Sequence, residues 1–521
     1  MSAPHAGEEQ VAARQLKWRG VALVLALCAP SFVGCGRTAA QSHVLTIADT
    51  MDPTSLNPLL AHDQDTIAYD LLVTETLVGL SAANRLVPIL VTRVPSQANG
   101  DISPDGRTIV YHLRRNVRFA DGVRLTAADV AFTFRAILDP RNPVESQDAY
   151  RRVAWLRTPD SSTVIVRLKR RWNAAVAELF AQADFAFGIL PAHAFTSTDV
   201  TRAAWNERPY GTGPFRVIEW ERANRIVLAR NPFFRPVPKL RRIVLQLIPN
   251  AAAALLALRA GDVDVTEIGP QQVTEARRIA GAHVVVTPVN GLYLLMMQTT
   301  APPTNDRRVR QAIAAAIDQR KIAAVTFGML PAADSFLPPV FAWHERAPLG
   351  RASRRWNGDR PLQVTIALPP ERGTWMAVMI QEQLRRARID AALKAYPAAL
   401  FNAPQGPLRS GHFTLALAQW IGAADPEESV IFACSQRGSN GNNSMAYCNP
   451  RFDALFEDQS VTADSSQRRP DFVAMQRLIR GDVPAVPLLF LSNLDVVRDR
   501  VSGFRRNMLI YPVAPERWDT R

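Results

Sequence analysis

The chain predicts an α/β fold with mixed sheets, and three observations carry that prediction. Strand-like runs recur along the whole length, at Val44 to Ala48, Val164 to Leu168, Ile226 to Ala229, Ile243 to Leu247, Val284 to Thr287 and Val364 to Leu368, with helix-like runs between them. The length of 521 residues, 47% of them hydrophobic, supplies two cores, since a single core rarely grows beyond about 250–300 residues. One stretch, Asp105 to Asp139, sets turn, strand, turn and capped helix in direct succession.

The leader comes first in order. Arg14, Lys17 and Arg19 precede an apolar run from Gly20 to Val33, which is short of the roughly 20 residues of a bilayer span and reads as a secretion signal. Phe32-Val33-Gly34-Cys35 resembles a lipoprotein cleavage site closing a 1–35 signal segment, so the mature chain would begin at a lipidated Cys35 and be tethered to a membrane. Plain secretion with cleavage near Ala40 is the competing reading, because Phe32 is a weaker start for such a site than leucine. No later segment is long and apolar enough to cross a bilayer.

In the stretch from Asp105 to Asp139, Asp105-Gly106 is a turn dipeptide, Ile109, Tyr111 and Leu113 alternate with polar residues, and Asp121-Gly122 is a second turn. This pattern predicts a hairpin. Thr126 then caps a helix whose first turn holds Asp129, and Val130, Phe134, Ile137 and Leu138 form its apolar face before Pro140.

Of four cysteines, Cys28 and Cys35 belong to the leader, which leaves Cys434 and Cys448. In an exported chain two cysteines closing a short loop read as a disulfide, worth about 3 kcal/mol in the chain-entropy model. No histidine lies near them and the spacing fits no zinc pattern, so no metal site is expected. Enzymatic signatures are missing too: there is no G-x-S-x-G elbow, no lysine placed as a phosphate-binding loop requires and no H-x-x-x-H pair. The chain is therefore expected to be neither an enzyme nor a cofactor protein, and any ATP hydrolysis belongs to a partner. The net charge of +14 comes from dispersed arginines beside only five lysines, without the clustered basic and aromatic residues that nucleic-acid binding needs.

The wording of the 105–139 stretch closely resembles the signature of the extracellular solute-binding proteins of the peptide/nickel type, family 5. Five further pieces follow the family's order: Leu56-Asn57-Pro58 with Glu75-Thr76-Leu77, then Tyr210-Gly211-Thr212-Gly213-Pro214-Phe215, Leu258 to Asp264, Asp306 to Asp318, and Trp420 with Asp425-Pro426 and the cysteine pair. The resemblance covers roughly residues 44 to 505. It implies a bilobal periplasmic-binding-protein-like fold of type II, in the large cluster C form with an extra subdomain and two hinge strands. Domain I would comprise 44–79, 206–288 and 490–521, the inserted subdomain 80–205 and domain II 289–489, with hinges near Pro288 and Phe490. Dipeptide binders of the family carry a similar cysteine pair.

The function the resemblance implies is that of the substrate-binding component of an ABC importer. A periplasmic monomer would close on a peptide or peptide-like solute and deliver it to an inner-membrane permease with separate ATPase subunits. A signalling or chaperone-like receptor for a non-peptide ligand is the alternative. By family analogy, Gln419, Trp420, Ile421, Gly422 and Ala423 line the cleft, as do His62, Asp63 and Gln64, and Arg372 and Tyr396 lie further along it. A core role for Trp420 and a solvated loop at residues 62–64 are the competing readings. At Ala423 the chain departs from the peptide binders, which place there an aspartate that pairs with the peptide's α-ammonium group. Asp425 then either substitutes for it or belongs to an Asp-Pro turn.

Overall fold

Each strand-like run forms a strand, as Val44–Asp49, Thr163–Leu168, Arg225–Arg230, Arg242–Leu247, Ala282–Met297 and Leu362–Leu368. The structure is a computed structural model that describes residues 43–521, apart from Thr54, His62, Asp63, Glu145, Asp184, Ala342, 345–355, Asn357, Asp359, Pro404, 426–430, Ser439, Asn440 and 463–464. The leader with Cys35 lies outside the described residues. Among those described, no helix is long and apolar enough to cross a membrane.

The main sheet has ten strands in the order Ile389–Ala395, Leu362–Leu368, Leu415–Ile421, Ala282–Met297, Ala485–Arg498, Val265–Glu267, Val44–Asp49, Arg242–Leu247, Arg225–Arg230 and Phe215–Glu221. It is mixed, as predicted. Val44–Asp49 runs parallel to both neighbours, whereas the two long central strands, Ala282–Met297 and Ala485–Arg498, are antiparallel. Different apolar clusters cover its two ends. Leu45, Phe215, Leu228 and Ile243 belong to one, and Leu295, Ile366, Ile380 and Leu417 to another. The two long strands therefore run from one core into the next. Between the cores their pairing jumps from Pro288 opposite Ser492 to Leu292 opposite Phe490, so Val289, Asn290 and Gly291 face Leu491 alone. Such a bulge bends a strand and re-aims its side chains.

A second, three-stranded sheet, in the order Thr108–His112, Thr163–Leu168, Val153–Asp160, packs with helix Ala127–Leu138 over a third core. The helix start follows the sequence: Asp129 accepts hydrogen bonds from the Thr126 N–H (2.8 Å) and hydroxyl (3.0 Å), and its other oxygen takes the Ala192 N–H (3.0 Å). The predicted hairpin is corrected. Thr108–His112 takes the distant Thr163–Leu168 as its strand partner, and the two turns close only isolated bridges, Asp105-Gly106 between Ile102 and Ile109 and Asp121-Gly122 between Arg118 and Arg124. A turn dipeptide bends the chain, but the strand takes the partner that completes its apolar face. The helix face is also shifted: Phe132 and Thr133 are buried with Val130 and Ile137, while Phe134 and Leu138 are only half-buried.

The recognisable motifs turn out to be joints of this scaffold. The wholly buried Asp264 carboxylate accepts the Thr46 N–H (2.9 Å) and pairs with Arg500 (2.5 and 2.7 Å), which ties the end of one motif to the first strand. Buried Arg310 donates to the Asp482, Thr304 and Asn305 carbonyls. Glu75 pairs with Arg235 at 3.0 Å; burial pushes its carboxyl above the ordinary range while the guanidinium pulls against that shift. Cys434 and Cys448 form the expected disulfide. Replacing both by serine should lower the unfolding free energy by about 3 kcal/mol, read by urea denaturation, since the loop is of the length for which the chain-entropy model gives that figure. A change below 1 kcal/mol would mean that the reduced chain is already constrained there.

Candidate functional site

Strands Leu362–Leu368, Ile389–Ala395 and Leu415–Ile421 run parallel, so their carboxyl ends reach the same edge of the sheet. In open α/β sheets that edge is where ligands bind. The residues the sequence singled out follow from this arrangement. Pro370 opens helix Pro370–Arg386 just after the first strand, Tyr396 follows the second with its N–H on the Leu368 carbonyl (3.0 Å), and Trp420 closes the third. The Arg372 side chain lies outside the described residues, as do His62 and Asp63. Gln64 is the first residue of helix Gln64–Val73.

The Leu415–Ile421 strand pairs with the long strand so that Gln419 faces Tyr293, Trp420 faces Leu292 and Ile421 faces Gly291. Alternation along a strand sends neighbours to opposite faces. Trp420 and Tyr396 accordingly pack on one side with Leu292, Phe336, Phe401 and Phe490, whereas Ile421 lies against the core on the other side. Trp420 is half-buried, and its Nε1 is buried without a hydrogen-bond partner.

Beyond the strand the chain is stitched to the bulge. Asn290 receives the Gly422 N–H on its carbonyl (2.8 Å), and its Nδ2 donates to the Ala423 carbonyl (2.6 Å), while its own N–H donates to the Met508 carbonyl (2.8 Å). A Cβ at Gly422 would lie 2.9 Å from Asn290 Nδ2, so a side chain there would push that amide off the Ala423 carbonyl. Ile421 and Ala424 then pack against an apolar cluster that contains Ala61, Ile67, Ala68 and Leu71 from the start of the chain and Met508 and Leu509 from its end. Segments remote in sequence, including helix Gln64–Val73 and the 508–509 stretch, thus meet around residues 421–424.

Asp425 is not a free counter-charge. Its two oxygens form a bidentate pair with Arg468 (2.6 and 3.0 Å), both side chains are largely buried, and the guanidinium also donates to Gln459 Oε1 and stacks over Trp343 and Phe472. Sequence reasoning missed Asn290, Arg468, Met508 and Leu509. Nothing in their local pattern signals the site, because they reach it from remote segments; the only hint was that Asn290 falls just beyond the expected hinge at Pro288.

The sequence profile described as "Bacterial extracellular solute-binding proteins, family 5 Middle" matches residues 85–442. The chain belongs to this family. The chain is 26% identical to the "Probable di/tripeptide-binding protein 5" of Pseudomonas aeruginosa over 85% of this chain and 91% of that protein. The fold matches the periplasmic binding protein DppA of Helicobacter pylori in complex with the peptide STSA, with a TM-score of 0.78 and 22% identity, over 92% of this chain and 98% of that one. It matches NikA of Brucella suis in complex with Fe(III)-EDTA with a TM-score of 0.79 and 20% identity, over 92% of this chain and all of that one. The fold is therefore the type II periplasmic-binding-protein form the family-5 resemblance implied.

Proposed function

We propose that this chain is the substrate-binding component of an ABC importer, capturing a peptide or peptide-like solute between two lobes and delivering it to a membrane permease whose ATPase subunits are separate. The observation that carries this reading is the meeting of the carboxyl edge of three parallel strands with the bulged crossing strands at residues 289–291. In this reading 44–79, 206–288 and 490–521 form domain I with the subdomain 80–205 inserted, 289–489 forms domain II, and the bulge is a hinge. The protein acts as a monomer in the periplasm, anchored through lipid at Cys35, and performs no chemistry on its ligand. Gln64, Gln419, Trp420 and Tyr396 contact the ligand, together with His62, Asp63 and Arg372.

Closure has a second contact far from the hinge. Asn173, in the 80–205 segment, gives its N–H to the Ser460 carbonyl (2.8 Å) and its Nδ2 to the Gln459 and Thr462 carbonyls, clasping the last turn of helix Pro450–Val461. Net hydrogen bonds of about 1 kcal/mol each that form only on closure favour the closed state. Asn173→Ala should therefore raise the Kd on the order of tenfold without touching the ligand, as measured by isothermal titration calorimetry. An unchanged Kd would show that the clasp persists in both states.

The reading is tested by a thermal-shift screen of leaderless protein, refolded to remove bound ligand, against di- to pentapeptides, nickel–histidine chelates and oligosaccharides. A ligand at a hundred times its Kd stabilises the fold by about 2.7 kcal/mol, an easily read shift. Trp420→Ala should abolish that shift while keeping the apo melting temperature within a few degrees. Retained affinity with a large loss of stability would make Trp420 a core residue.

A further inference from the structure

We infer that Asn290 is a positioning residue for ligand capture, whose side chain pins the segment that follows strand Leu415–Ile421 to the bulge at residues 289–291. This rests on the peptide-capture reading above and names the residue through which the hinge and the ligand-facing segment move together.

The first support is the hydrogen bonding of the bulge. Strand pairing with Leu415–Ile421 reaches Gly291 opposite Ile421. One residue further on, the Asn290 carbonyl takes the Gly422 N–H at 2.8 Å, but the Asn290 N–H turns away to the Met508 carbonyl, also at 2.8 Å. The side chain supplies the next donor in its place, with Nδ2 at 2.6 Å from the Ala423 carbonyl. Asn290 is only 1% exposed, and that carbonyl fixes which end of the amide is nitrogen, since a reversed amide would set two acceptors at the same distance. The Met508 loop is tied in turn to the 80–205 segment. The Met508 N–H donates to Asn84 Oδ1 (3.1 Å), and Asn507 Nδ2 donates to Gln182 Oε1 (3.3 Å), which also takes the Leu80 N–H (2.9 Å). Asn290 therefore stands between segments assigned above to opposite lobes, its N–H bonded to one and its carbonyl and side chain to the other.

The second support is close packing. A Cβ at Gly291 would lie 2.8 Å from the Trp420 carbonyl oxygen and 2.6 Å from Leu491 Cδ1, and one at Gly422 would lie 2.9 Å from Asn290 Nδ2. A glycine on each strand thus lets the bulge and the strand end touch without a side chain between them. Hinges are a few residues that absorb a backbone change, and a bulge is where a strand bends. A bend at residues 289–291 is carried to residues 422 and 423 through the bonds of Asn290. In reverse, a ligand held at the neighbouring Trp420 biases the hinge by its differential affinity for the two lobe arrangements.

The experiment titrates the leaderless full chain with a di- to pentapeptide series by calorimetry and takes the ratio of the Asn290→Asp Kd to the wild-type Kd at about pH 8 and about pH 5. The substitution keeps the shape of the side chain and replaces the donor. Burial and the facing carbonyl raise the pKa of the introduced carboxyl, so it is ionised and repels the Ala423 carbonyl at the higher pH, and is protonated and donates to it at the lower. The ratio should be about tenfold at the higher pH, the equivalent of one hydrogen bond of about 1.4 kcal/mol, and should fall severalfold at the lower. Taking the ratio at each pH cancels titrations that both proteins share, those of the peptide termini and of the paired Asp425 and Asp495 among them. A ratio near one throughout, or one that does not fall toward acid, overturns the inference and leaves peptide capture standing. Wild-type protein that binds none of the peptides overturns peptide capture and the inference together. Where Asn290→Asp shows no melting transition, Asn290→Ala, Gly422→Ala and the double variant carry the test. Both singles break the contact to Ala423, so the double should bind no more weakly than Asn290→Ala alone, and additive losses in affinity overturn the inference.

Discussion

Arg468→Leu should be the most damaging single substitution in the 289–489 segment, lowering the unfolding free energy by about 3–5 kcal/mol. Asp425 and Arg468 are 14% and 8% exposed, so neither charge is solvated enough to stand alone. Removing the guanidinium leaves the Asp425 carboxylate uncompensated and takes away the donor that satisfies Gln459 Oε1. It also removes the cation that lies 5.0 Å over Trp343 and 5.6 Å over Phe472. The pair itself is not expected to be strongly stabilising, because desolvation offsets most of the attraction between the two charges. Consequently the double variant Asp425→Leu/Arg468→Leu should recover most of the loss. Chemical denaturation of the wild type, both singles and the double completes the cycle. Additive losses would show that the two charges are independent, and the account of Asp425 as a neutralised carboxylate would fail.

Gly213→Ala should cost about 3 kcal/mol or more, near the upper end of overpacking effects. Gly213 sits where the Tyr210–Phe215 turn lies across the end of helix Gln64–Val73, with its N–H on the Val73 carbonyl at 2.9 Å. A Cβ there would stand 2.5 Å from both the carbon and the oxygen of that carbonyl. Those are backbone atoms, which cannot swing aside as a side chain can. Gly481→Ala is the control, because a Cβ at that helical position meets nothing within 4 Å. It should be neutral or stabilise by up to about 1 kcal/mol, through helix propensity and a less flexible unfolded chain. If both variants melt alike, close backbone approach is not the reason for the glycine.

Several features were legible from local pattern. The strand runs, the Thr126 and Asp129 helix start and the Cys434–Cys448 pairing all depend on neighbours in the chain or on a short loop. The family motifs were legible as words, but their role was not. Asp264, Arg310 and Glu75 read as family markers, and each is a joint between remote segments: Asp264 with Thr46 and Arg500, Arg310 with Asp482, Glu75 with Arg235. The hairpin expected at residues 105–125 shrank to isolated bridges at its two turns for a related reason, since backbone hydrogen bonding in a sheet goes to whichever strand completes the buried face.

The candidate site divides along the same line. Trp420, Tyr396 and the start of helix Pro370–Arg386 could be proposed from sequence because each follows a strand, and parallel pairing brings strand ends to one edge. By itself the sequence determined the α/β class, the family and the positions of these strand ends, because periodicity and turn chemistry act over a few residues. Only the tertiary structure decided what faces residues 420–424. Asn290, Arg468 and Met508 arrive there from far along the chain, and whether a carboxylate is free or neutralised depends on which distant guanidinium the fold sets within 3 Å of it.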